Sequence, residues 1–191
     1  PKGTILLLTT FIGMALGPMI AVRLVHRRSI GSLLGRRAVV LRDFVQASAT
    51  VWVIYAFVML IWSFRYDAVP NIDLWVWLSF LPLALGGILI QTMAEELVFR
   101  GYLQQQLAAR FRSPIVWMIL PALVFGLVHY DPERAGGNVW LIIGAAAAFG
   151  LVAADLTRHS GSLGAAWGFH FANNVLAILF LAVDGTIPGL A

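Results

Sequence analysis

The chain has 191 residues, of which 60% are hydrophobic and 12% charged, against about 25% charged in an average soluble domain; with 12% aromatic residues and seven Trp, this excludes both a water-soluble globule and a disordered chain. It contains no cysteine, which excludes disulfides, thiolate nucleophiles and cysteine-ligated metal sites. The net charge of +4 does not indicate nucleic acid, because six of the thirteen cations, Arg23, Arg27, Arg28, Arg36, Arg37 and Arg42, form one loop between apolar runs and so read as a membrane-topology signal.

A bilayer core about 30 Å thick is crossed by roughly 20 apolar residues in helical form. Six runs near that length predict an all-α, polytopic transmembrane helical bundle, with about six spans plus interfacial or re-entrant segments. It forms a single transmembrane domain over residues 1–191. The first run, residues 4–22, is preceded by no basic region beyond Lys2 and shows no small-residue cleavage site, so it reads as a span and not as a signal peptide. The basic loop that follows is expected in the cytoplasm, where positive charge is retained; a topology signal alone is the preferred reading over binding of anionic lipid or a partner. The second run is 44–64, and the loop 65–73, with one Arg, is expected outside. The third run, 74–94, contains Pro82 and leads into Arg100, Arg110 and Arg112, expected inside. Residues 101–112, with Gln104, Gln105 and Gln106, are polar enough to run along or out of the interface. The fourth run is 114–128 and is followed by the loop 130–138, expected outside. The fifth, 139–154, offers a small-residue face at Gly144-Ala145-Ala146-Ala147-Ala148 for tight helix contact. The sixth run is 164–183, and both termini fall outside.

The informative residues are the polar ones within or beside these spans, since a central Asp or Arg costs about 2.5–3.5 kcal/mol even on the lenient insertion scale. Glu95, Glu96 and Arg100 interrupt an apolar run. Glu96 and Arg100 have the i,i+4 spacing of an ion pair, which leaves Glu95 the freer carboxylate. His129 ends the run Phe125-Gly126-Leu127-Val128. His170 and Asn174 share one helix face and can donate hydrogen bonds to a common point. Straight helices would leave Glu95 at the inner end of the third span and His129 at the outer end of the fourth, about 20 Å apart. Either His129 sits above a short, sunken helix or, as preferred here, residues 71–82 form a separate interfacial or re-entrant piece around Asp73, Trp75 and Trp77, with a new helix beginning near Pro82.

Taken in order, Glu95-Glu96-x-x-x-Arg100, Phe125-x-x-x-His129 and His170-x-x-x-Asn174 resemble the three motifs of the type II CAAX prenyl endopeptidases, the CPBP or abortive-infection-like intramembrane proteases. The resemblance covers a catalytic core over residues 83–181. It implies a multi-pass integral membrane endopeptidase, placed in a bacterial plasma membrane, acting on membrane-associated peptides or proteins. In eukaryotic members the substrates are prenylated CAAX proteins; bacterial members are associated with peptide maturation and bacteriocin self-immunity. The resemblance also implies roles: Glu95, helped by His129, activates water; His170 and Asn174 stabilise the oxyanion; Glu96 and Arg100 organise the site. No cofactor is expected.

Three rival readings accompany this one. Zinc held by Glu95, His129 and His170 would make a metalloprotease, although the chain lacks a His-Glu-x-x-His helix. Ser160 or Ser162 could serve as a serine nucleophile, but a Gly-x-Ser-Gly turn is absent. A non-catalytic scaffold or immunity subunit would keep the fold and bind a membrane-protein partner.

Overall fold

The structure is a computed structural model that describes residues 2–65 and 72–181, with side chains from Thr10 onward. The chain is an all-α bundle. Its principal helices are α1 (Lys2–Ile20), α2 (Val40–Ser63), α3 (Leu74–Glu96), α4 (Leu120–Leu127), α5 (Val139–Ser160) and α6 (Gly164–Val175). Among the described residues, three stretches are long and apolar enough to cross a membrane: Arg37–Ser63, Leu74–Ala108 and Pro132–Ser160. They correspond to the expected second, third and fifth spans. The expected fourth span is a shorter apolar helix, Ile115–Leu127. The last helix winds on through wider π turns to Phe180, so the predicted end of the sixth span, like most of the outer loop after Arg65, lies outside the described residues.

Pro82 does not start a new helix. Asp73 caps α3 by accepting hydrogen bonds from the backbone N–H of Trp75 (2.9 Å) and Val76 (3.3 Å), and α3 passes through Pro82 without a break. A proline inside a membrane helix is tolerated because its neighbours re-satisfy the freed backbone groups. Trp77 also points inward, donating its indole N–H to Leu179 O at 3.0 Å. The expected separate piece over 71–82 is thus replaced by one rod, which continues through π turns at Leu97–Gln104 to Ala108. At 1.5 Å per residue, Ala108 lies about 20 Å beyond Glu95 along the axis. Glu95 is therefore within the rod and not at its end.

Residues 101–112 pack into the bundle at their start and are exposed from Ala108 onward. Gly101 and Gln104 are buried, with Gln104 donating to Ala154 O at 3.0 Å and Gln105 donating to Leu33 O at 3.2 Å. The polarity of this stretch serves carbonyls in neighbouring elements.

Packing follows small residues. α6 lies against α2 at Gly164 and Gly168, where an added Cβ would run into the carbonyls of Val40 and Phe44. On the other side, a Cβ on Gly126 would come within 2.6 Å of Ile143 O and 2.9 Å of the Ala147 methyl, so α4 is seated on α5 at Ile143 and Ala147, while Gly144, Ala145 and Ala148 of the expected small-residue face are exposed. α3 fills the middle, with Ala84 and Ile88 packed on Val175 and Leu179. The basic loop is docked as well: Arg36 N–H donates to Gly161 O (2.8 Å), Leu163 N–H donates to Leu34 O (3.0 Å), and Gly35 and Ser162 pair as an isolated antiparallel bridge. Gly161 ends α5 at φ +65°, a left-handed conformation that glycine adopts without strain.

Candidate active site

Glu95 and Glu96 close α3 and are both buried, at 8% and 0% exposure. A buried carboxylate needs compensation, and Glu96 receives it twice. Arg100, 2% exposed, donates to Glu96 Oε1 at 2.9 Å, and His170 Nδ1–H donates to the same oxygen at 2.8 Å. Arg100 is fixed further by its hydrogen bond to Gly150 O (3.1 Å) and by the Phe125 ring, whose centroid is 4.7 Å from its guanidinium carbon. The four residues Leu97 to Arg100 lie in the π-wound segment, a backbone form that recurs at functional sites.

Glu95 is held differently. Its Oε1 accepts from the Gln91 side-chain amide at 2.6 Å, while its Oε2 lies 3.7 Å from His170 Nε2. The His170 ring therefore stands between the two carboxylates, edge-on to Phe149 with centroids 4.9 Å apart. Asn174, one turn further along α6, donates to Gln91 Oε1 at 3.0 Å. Behind it, Asn173 donates to Asn174 Oδ1 (3.2 Å) and the Tyr55 hydroxyl donates to Asn173 Oδ1 (2.7 Å).

His129 follows the end of α4, exposed. Its Nδ1–H donates to Phe125 O at 2.8 Å, which turns Nε2 into the lone-pair nitrogen. The imidazole reaches the group through Phe125, whose ring is 4.9 Å from His129 and 5.9 Å from His170. Of the sequence-derived candidates, Glu95, Glu96, Arg100 and His170 make one contiguous cluster. Asn174 joins it through Gln91, and His129 flanks it across an aromatic ring. Gln91 and Tyr55 were not singled out by sequence; the available signal was that Gln91 stands four residues before Glu95 in an otherwise apolar run.

Among the described residues, no three His, Asp or Glu side chains gather closely enough to hold a metal ion. The serines are structural: buried Ser162 donates to Asp43 Oδ2 at 2.6 Å, and Ser160 donates to Ser162 O at 2.9 Å.

What the arrangement offers is a carboxylate oxygen beside an imidazole, an amide donor nearby and an accompanying ion pair, all in an apolar surround. A family model described as "Type II CAAX prenyl endopeptidase Rce1-like" matches residues 76–176, just over half of the chain, and that stretch includes all six candidate residues. Over 125 residues the chain is 36% identical to "Uncharacterized protein YyaK" of Bacillus subtilis (strain 168), a match covering 63% of this chain and 41% of that protein. The chain thus spans about two fifths of the length of that relative. No solved structure matches it.

Proposed function

Because the chain belongs to the Rce1-like type II CAAX prenyl endopeptidase family, a family of membrane proteases, we propose that it hydrolyses peptide bonds of membrane-associated substrates with Glu95 as the base. Oε2 of Glu95 takes a proton from water, and the resulting hydroxide attacks the scissile carbonyl carbon. His129 Nε2 orients that water from the open side. The oxyanion that forms accepts hydrogen bonds from the Asn174 amide and from His170 Nε2–H, the ring acting as an imidazolium that donates from both nitrogens with Nδ1–H on Glu96, and preorganised donors of this kind count for more away from water. Collapse of the tetrahedral intermediate breaks the C–N bond, and the leaving amine takes the proton from Glu95. Glu96 and Arg100 form the fixed ion pair against which His170 is set. The substrates we propose are membrane-presented peptides, prenylated CAAX-type chains among them, in a bacterial plasma membrane whose lipids surround the bundle.

The observation that carries this reading is the approach of a buried carboxylate to an imidazole, Glu95 Oε2 to His170 Nε2 at 3.7 Å, with an amide network holding the other oxygen. Glu95→Gln keeps the volume and removes the proton acceptor. Purified protein in lipid nanodiscs, given a membrane-anchored peptide, should lose cleavage by about 10²–10⁴-fold on that substitution while its melting temperature holds. Unchanged cleavage by Glu95→Gln would remove the glutamate mechanism. Retention of a cellular effect without any cleavage would favour a scaffold.

A further inference from the structure

Resting on Glu95 as the base, we propose that Gln91, backed by Asn173 and Tyr55, is a positioning residue that selects which oxygen of Glu95 works and ties the base to the oxyanion donor. The argument is one of hydrogen-bond direction. An ionised carboxylate can only accept, so Gln91 must present its NH₂ to Glu95 Oε1, as it does at 2.6 Å. Its carbonyl oxygen then faces Asn174, which must present NH₂, at 3.0 Å. The Asn174 oxygen in turn needs a donor and finds the Asn173 NH₂ at 3.2 Å. The Asn173 oxygen needs the same and meets the Tyr55 hydroxyl at 2.7 Å. Four bonds from three helices run in one sense, from Tyr55 on α2 through α6 to Gln91 and Glu95 on α3. Reversing any one of them would set donor against donor or acceptor against acceptor.

Two consequences follow for the chemistry. A proton arriving on Glu95 Oε1 would confront the Gln91 N–H, so the proton from water is taken at Oε2, the oxygen facing His170. Asn174, its oxygen occupied by Asn173 and one N–H by Gln91, retains a single N–H for a substrate oxyanion. Gln91 touches neither substrate nor water; it acts through Glu95 and Asn174.

The test is a kinetic cycle on the full chain in nanodiscs with the membrane-anchored peptide, using Gln91→Met, which keeps the length and removes the amide, and Tyr55→Phe, which removes only the terminal hydroxyl. Gln91→Met should lower kcat by about 10–100-fold, the scale of one charge-assisted hydrogen bond, with KM changed less than about twofold. Tyr55→Phe should lower kcat by several-fold. Because the relay acts as a unit, the double variant should be no worse than Gln91→Met, whereas separate structural defects would multiply. Independent, multiplying effects, or a Gln91→Met variant with wild-type kcat, would overturn the proposal. Should Gln91→Met not fold, Tyr55→Phe decides alone: a kcat loss at unchanged KM and melting temperature supports the relay, and unchanged kcat refutes it. Glu95→Gln measured in parallel separates the levels: if it retains activity the glutamate mechanism itself falls, and if it is inactive while the cycle fails, the relay alone is wrong.

Discussion

At the scale of single residues, the site is ordered by where charge is compensated. Arg100 is among the largest fully buried side chains and reaches one carboxylate, one carbonyl and two rings, those of Phe99 and Phe125. Removing it strands Glu96, which is fully buried, with His170 as its remaining donor. Breaking a buried pair from one side costs about 3–5 kcal/mol, so Arg100→Ala should lower both membrane abundance and melting temperature, and activity with them. Pairing it with Glu96→Gln should recover part of the melting temperature but not the activity. Glu95, Glu96, Arg100, His170 and Asn174 were legible in the sequence because each is polar where its neighbours are apolar. Gln91 was harder to read, since a lone amide in a span is ordinary interhelical hydrogen bonding. Tyr55 was illegible: its partner Asn173 is 118 residues away, and no local pattern records that pairing.

At the scale of elements, glycines decide how closely the helix bearing His170 and Asn174 approaches its neighbour. Gly168 lies two residues before His170 and faces the Phe44 carbonyl, with no room for a Cβ. Gly168→Ala should therefore destabilise the protein by about 1–3 kcal/mol and lower cleavage by displacing His170. Gly144→Ala is the control, because a Cβ there meets nothing within 4 Å; its melting temperature should be unchanged or slightly higher. Thermal unfolding and cleavage of the two variants side by side check this. Periodicity and length identified the helices well, while of the small-residue face that composition singled out, Ala147 is where α4 is seated. The reading failed at Pro82, because a rule about helix breaking in water was applied where apolar surroundings and the Asp73 cap keep the helix intact. In 101–112, polarity alone did not reveal that Gln104 and Gln105 spend their amides on carbonyls of other elements, while residues 108–112 are exposed.

At the scale of the whole molecule, the positive-inside rule leads us to expect the arginine loop on the cytoplasmic side. The chain has no cysteine, so single introduced thiols report sidedness cleanly. Ser29→Cys in the arginine loop and Glu133→Cys in the loop after His129 are both at exposed positions. In intact cells a membrane-impermeant maleimide should label Glu133→Cys and leave Ser29→Cys unlabelled until the membrane is opened; the reverse pattern would invert the orientation. The bundle also limits how the site can open. Arg100 and Gln104, four residues apart on the extension of α3, are pegged to Gly150 O and Ala154 O, four residues apart on α5. Such a matched pair behaves as a ratchet tooth: a slide of one rod along the other must release both pegs at once and can re-engage only a full step away, about 6 Å along the axis. Small sliding strokes are thereby forbidden to these two rods.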